Sequence, residues 1–399
     1  MAGRLRLAAT GIQDQWLSDE PQFSYFLMNF KRHTKFSVDV LENQFDGTVD
    51  FGNVIECRIP IDKGDLIKNM TLKVTLNDPT PDETGNDTIW SPSIITHMIE
   101  YAELLIGGQV IEKITGEYIY LYQQLHNTND DIDQTLYFLN GHGNILSYQG
   151  DYTYFLNLPF YFYRNSTLAI PTCALTKHIV EVKLKLRPLK EVIFNSGLPV
   201  GAPYDIPDGV QGSIRTMSID ADFVYLSEEE RQYLMSYPID YVITQVQLAQ
   251  FKMKVGETKR SVMLNFQHPV KELFFVSQSE EAVEDNDPNW YNSIKNVELR
   301  FNNEVVFNRD TKFLVYEQSL KHHINSPSSA NIATFGMYSF SLKPEVYYPT
   351  GQVNMSRITH KMLTVEIIPN NYAEANKTRI YAINYNVLRF ESGLAGLKF

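Results

Sequence analysis

Cysteine is nearly missing from this chain. Its 399 residues include two, Cys57 and Cys173, too few for a disulfide framework and in keeping with a reducing compartment. No apolar run approaches the roughly 18 residues that would span a bilayer as a helix. Met1 to Gln22 also lack the apolar core of a secretory signal. The expectation is synthesis in the cytosol, with the product kept there or assembled from there. Positive charge is in deficit as well: 35 Lys and Arg face 47 Asp and Glu, a formal net charge of -12. The basic residues are interleaved with carboxylates rather than gathered, so direct binding to a phosphate backbone is not expected.

Catalytic signatures are missing too. The chain contains no Gly-x-x-x-x-Gly-Lys-[Ser/Thr], no His-Glu-x-x-His, no Cys-x-x-Cys and no Gly-x-Ser-x-Gly. Adjacent His322 and His323 would point about 100° apart on a helix, unlike a metal-chelating i, i+4 pair, and suit a helix C-terminus instead. Glu280, Glu281, Glu284, Asp285 and Asp287 lack the alternating ligands and glycine of an EF-hand, and read as a solvated loop. The residues therefore assign no catalytic, cofactor-binding or metal site, and no enzyme activity is expected. Five Asn-x-[Ser/Thr] sequons occur, at Asn69, Asn86, Asn165, Asn354 and Asn376. Without a secretory signal they read as composition.

What the chain does have is aromatic residues and alternation. Aromatics reach 13%, with 24 Tyr and 23 Phe, which favours pleated structure. Val180 to Leu186 alternates apolar and charged residues without a break, and Met70–Leu76, Val297–Phe301 and Leu363–Ile367 read the same way. One-sided alternation predicts antiparallel sheets packed face to face. Between Val246 and Val255 the apolar parity switches near Ala249, which predicts a β-bulge. Helices are few: one capped at Ser227 with Glu230 reaching back, one from Thr115 to Leu125, one from Asp310 to Leu320.

The last two helices belong to an internal repeat. Glu103 to Ile111 aligns without gaps to Glu298 to Val306, each copy reading strand, two-residue turn, strand, with Gly107-Gly108 answered by Asn302-Asn303. Those dipeptides accept the positive φ of a tight hairpin. A helix follows in both copies, Tyr118 to Leu125 and Phe313 to Leu320. Weaker echoes match His178 with His360, and Phe223–Leu226 with Asn386–Arg389. Two related all-β units follow: an N-terminal arm 1–22, a first sandwich 23–227, a connecting helix 228–239 and a second sandwich 240–399. Two turn-rich loops, Asp78 to Pro92 and Leu189 to Gly212, stand out by length.

Several motifs carry a family resemblance: Met1-Ala2-Gly3, Gly11 to Leu17, Pro21 to Phe26, Lys31 to Phe36, Phe51-Gly52-Asn53, Gly64-Asp65-Leu66-Ile67, and Ile383 to Arg389 followed by Ser392-Gly393. In these the chain resembles the major capsid proteins of nucleocytoplasmic large DNA viruses, closest to those of algal viruses. It departs from them in being short and in having Ile61-Asp62-Lys63 where Arg or Asn is more usual. The resemblance implies a double jelly roll, two tandem eight-stranded antiparallel sandwiches, whose homotrimers form pseudo-hexagonal capsomers of an icosahedral shell. It also implies contacts with neighbouring capsomers and minor capsid proteins, an outer-capsid place in the virion, assembly in the host cytoplasm, an inner viral membrane nearby but not spanned, and no cofactor.

Three rival readings compete with it. A minor capsid paralogue would share the fold. A glycan-binding jelly roll would use Trp90 or Trp290 as a stacking platform, and a cupin-type metalloenzyme would need His178 and His360 to converge.

Overall fold

Val180–Leu186 is a strand throughout, with its four apolar side chains buried and its charged residues half-buried on the other face. The same period-2 logic builds most of the molecule. The computed structural model describes residues 2–80, 88–128, 135–136, 139–141, 152–163, 165–195, 209–279, 291–292, 294–325, 335–368 and 375–399. Met1–Phe36 form one compact unit and Ser37–Phe399 another.

The first half of the chain runs β1 (Phe36–Gln44), β2 (Val54–Ile59), β3 (Leu66–Leu76), β4 (Thr88–Trp90), β5 (Ile99–Ile106), β6 (Gln109–Thr115), β7 (Tyr152–Asn157), β8 (Val180–Leu186), β9 (Ile193–Asn195) and β10 (Ile214–Leu226). The second runs β11 (Ile239–Met253), β12 (Lys259–Met263), β13 (Pro269–Ser279), β14 (Ile294–Phe301), β15 (Glu304–Asp310), β16 (Gly336–Ser339), β17 (Val353–Asn354), β18 (Lys361–Ile367), β19 (Asn376–Glu391) and β20 (Leu394–Leu397). The helix Glu228–Ser236 lies between the halves.

Sheet order is the same in both. The first half pairs β1-β10-β3-β7 and β2-β8-β5-β6, and the second pairs β11-β19-β13-β16 and β12-β18-β14-β15. Strand for strand these are one topology written twice, the double jelly roll. The short strands β4 and β9 pair with each other, while β17 and β20 extend the second half's larger sheet.

The repeat reaches down to single bonds. Gly107 and Gly108 have φ of 59° and 78°, and Asn302 and Asn303 have 49° and 73°, so both turns use two successive left-handed residues. One residue beyond each turn's first pairs the ladder slips: Leu104 faces Glu112 while Leu105 faces Val110, and Leu299 faces Phe307 while Arg300 faces Val305. Ile111 and Val306 are thus the same bulge. Thr115 Oγ1 accepts the Tyr118 N–H at 3.1 Å, and Asp310 Oδ1 accepts the Phe313 N–H at 3.1 Å, so one capping bond starts both helices.

Several local expectations need correction. β11 pairs β19 without a slip from Ile239–Phe390 to Met253–Asn376, so no bulge interrupts it at Ala249. The parity change arises because Val246 and Leu248 are apolar although they lie on the opposite face from Ala249, Phe251 and Met253, Leu248 being exposed. The Ser227 hydroxyl lies 3.5 Å from the Glu230 carboxylate and caps no backbone amide, so the capping box does not form. The match of His178 to His360 is off by one: Ile106 pairs with Val180 and Phe301 with Lys361, which makes Ile179 the counterpart of His360. The second repeat helix begins as a π-type run, Lys312–Glu317, before the α-helical Gln318–His322.

Candidate assembly surfaces

The first half's repeat helix, Gly116–His126, is a joint between the two sandwiches. Its Tyr118 ring stacks 6.3 Å from Phe274 of β13 and lies 5.9 Å from Tyr381 of β19. Covered by this helix on one side and by their own partner sheet on the other, β13 and the middle of β19 are buried on both faces. One apolar cluster therefore runs from Leu72 and Ile219 of the first sandwich to Phe274, Tyr381 and Ile383 of the second, while Leu273, Leu299 and Leu363 belong to a core of the second alone.

A polar lock holds the upper end of this seam. Arg379 donates to both oxygens of Glu117, at 2.6 and 2.5 Å, and to Gln278 at 2.8 Å. Tyr381 also donates to Glu117 and lies 3.1 Å from the Thr115 hydroxyl. Burial opposes the charge on Arg379, but the Glu117 carboxylate outweighs it and raises the guanidinium pKa. A bidentate, hydrogen-bonded pair is the form in which charge largely withdrawn from water is tolerated.

A second cluster holds the other end of the helix. His323 lies between Glu272, at 3.0 Å from Nε2, and Glu345, at 2.9 Å from Nδ1, with the His126 ring centroid 5.0 Å away. Burial works against ionisation of Glu272, but Lys271 and His323 outweigh it and hold its carboxyl at about 2. Burial likewise lowers the His323 pKa, and the two carboxylates more than reverse this. His126 is kept neutral by burial and by the nearby His323.

The C-terminal hairpin closes the seam from outside. Gly393, at φ 82°, lies so close to Thr176 that a Cβ there would sit 2.1 Å from its hydroxyl. The Gly393 carbonyl accepts the Lys177 N–H at 3.1 Å, and the Ala395 N–H donates to His178 Nδ1 at 3.1 Å. The Ser392-Gly393 pair of the sequence is thus the turn of a latch joining second sandwich to first.

Among the described residues, the second half's repeat helix has no such cover. Leu121 and Leu125 are 0% exposed, but their repeat counterparts Tyr316 and Leu320 are 47% and 78% exposed. They line an open recess with Lys295, Phe313 and Glu366. Edge strands show the same surplus: Val38 and Val40 on β1, Val242 and Leu248 on β11, Val54 on β2 and Met263 on β12 are all exposed. In the N-terminal unit Met1–Phe36, the helices Ala2–Ala8 and Ile12–Ser18 bury no residue, and Trp16, Phe26 and Met28 are exposed.

Residues singled out from the sequence fall in ordinary places. Trp90 is buried against Phe51 at 5.6 Å and is not a stacking platform, while Trp290 lies outside the described residues. His178 serves the latch and His360 the Asn302 turn, each in its own sandwich. His322 ends its helix beside the Leu342 carbonyl at 3.3 Å. Burial pushes the Cys57 and Cys173 thiols up to about 12 and about 11, so both stay protonated at neutral pH. Asn376 is buried, Asn69 is tied to Asn157 at 3.2 Å within the sheet, Asn165 caps a turn and Asn354 is exposed. Asn86, the 280–287 acidic run, 81–87 of the first long loop and 196–208 of the second lie outside the described residues. No helix among the described residues is long and apolar enough to cross a membrane.

The sequence profile of the major capsid protein N-terminus matches residues 24–227, and that of the large eukaryotic DNA virus major capsid protein matches residues 230–396. The major capsid protein of Pyramimonas orientalis virus is 30% identical over 429 aligned residues, covering 100% of this chain and 99% of that one. That of Paramecium bursaria Chlorella virus 1 is 26% identical, covering 100% of both. Among solved structures, the PBCV-1 virus capsid superposes with a TM-score of 0.79 at 24% identity, over 94% of this chain and 100% of that one. The Faustovirus major capsid protein does so with a TM-score of 0.76 at 10% identity, over 96% and 94%.

Proposed function

Because this chain belongs to the major capsid proteins of large eukaryotic DNA viruses, and is a structural subunit of the virion shell, we propose that three copies close head to tail into a pseudo-hexagonal capsomer. One observation carries the reading: the helix face that the first sandwich buries against the second is repeated on the second sandwich and left exposed at Tyr316 and Leu320. A surface that docks onto the next sandwich within a chain, repeated at the chain's far end, docks onto the first sandwich of a second chain. Such heterologous contacts close into a ring when their rotation divides the circle. Six similar joints, three within chains and three between them, make a six-sided tile from three subunits.

In this reading the division into arm 1–22, first sandwich 23–227, connector 228–239 and second sandwich 240–399 is a division of labour. The sandwiches make the tile, and the arm with its exposed Trp16 reaches neighbouring capsomers or minor capsid proteins. The capsomer lies in the outer shell over an inner membrane that the chain does not span, is assembled in the host cytoplasm, and carries no catalytic duty.

Light scattering on the purified chain tests the proposal. A trimer at micromolar concentration is expected, with an interface above about 2,000 Å². Leu320→Asp places a charge in that interface and is expected to give a folded monomer. A monomeric wild-type chain, or a trimer indifferent to Leu320→Asp and Tyr316→Asp together, would sink it.

A further inference from the structure

Among the described residues, one group of metal-ligating side chains converges, and its two histidines come from opposite halves of the chain. His126 ends the first repeat helix, His323 follows the second, and Glu345 lies in the loop after β16. One ligand atom from each lies within 4.8 Å of the others. We propose that His126, His323 and Glu345 bind a divalent metal of the zinc class, which fastens the first sandwich to the second.

The tautomers suit this assignment. His126 Nδ1 donates to the Tyr122 carbonyl at 2.9 Å, so the neutral ring carries its lone pair on Nε2. His323 Nε2 is held by Glu272 at 3.0 Å, which fixes a proton there and directs Nδ1 toward Glu345. Each ring thus has its second nitrogen oriented by an oxygen acceptor, as metal-binding histidines do. Two imidazoles and a carboxylate form a zinc-type donor set, with a fourth position left to water.

Binding is an exchange. The metal takes the place of the proton between His323 Nδ1 and Glu345, and that proton leaves to solvent. The 2.9 Å separation of these two atoms has to open only to about 3.3 Å, the ligand–ligand spacing of a tetrahedral site with zinc–nitrogen bonds near 2.0–2.1 Å. Lys271, 3.4 Å from Glu272, offsets the second carboxylate's charge. The fastening lies where the Asn325 N–H already donates to the Leu125 carbonyl at 3.1 Å, so it reinforces an existing contact.

Equilibrium dialysis of the intact chain, stripped with chelator and then exposed to Zn²⁺ alone near neutral pH, tests the site. One zinc retained per chain is expected, with Co²⁺ in its place giving the visible absorption of a four-coordinate nitrogen–oxygen site. His126→Gln and Glu345→Gln should each weaken retention at least about tenfold, and Glu272→Gln, through ring orientation, about 10- to 100-fold. Circular dichroism checks that the variants fold, and Glu345→Gln, whose carboxylate is partly solvent-accessible, disturbs the interior least. No zinc retained by the wild-type chain, or equal retention in folded variants, overturns the proposal.

Discussion

At the scale of single residues, two carboxylates meet different partners. Glu112 accepts the Tyr161 N–H at 2.8 Å, and burial pushes its carboxyl from an ordinary 4.5 up to about 8 against the pull of that amide. The unfolded chain therefore ionises first as pH rises. Stability contributed by the protonated form is whole below 4.5, falls through the window from 4.5 to 8, and is constant above it. Glu112→Gln should raise the unfolding free energy above pH 8 by on the order of a few kcal/mol, and change it little below 4.5. A gain at acid pH, or none at alkaline pH, would contradict this. Glu117, by contrast, is matched by Arg379. Glu117→Gln leaves a guanidinium buried without its counter-charge and should cost about 3–5 kcal/mol in urea unfolding.

For elements, the two repeat hairpins make a controlled comparison. A Cβ on Gly107 would meet the His178 ring at 2.3 Å at a positive φ, whereas Asn302 already carries a side chain there, which accepts the His360 N–H at 3.2 Å. Gly107→Ala should destabilise by at least about 1–2 kcal/mol, while Asn303→Gly should shift stability by under about 1 kcal/mol. Equal effects in calorimetry would mean that the close approach of Gly107 to His178 costs nothing. These hairpins, the strands at 70–76, 180–186, 297–301 and 363–367, and both repeat helices were legible because each shows water one face or repeats a turn. β13 was not, since its run from Val270 to Val276 is covered on both sides and has no period to read. Leu248 points the other way, as an apolar residue facing outward from an edge strand imitates a bulge. The His126–His323–Glu345 group gave no local signal at all: its members are brought together only by the packing of one sandwich on the other.

For the whole molecule, the shared apolar cluster means that the first sandwich does not own its core. Phe274, Tyr381 and Ile383 complete it. Heating should therefore give one cooperative transition for the body of the chain, where tandem domains commonly give several. Two separated calorimetric peaks would show the sandwiches to be independent. That β1 and β11 are edge strands among the described residues has a different consequence, in time rather than in space. Open strand edges bearing valine and leucine pair with whatever strand arrives first. A newly folded chain is thus in a race whose useful outcome and whose loss to aggregation both speed up with concentration. Yield then depends on how fast correct partners are supplied, so the rate of synthesis acts on the product alongside its stability.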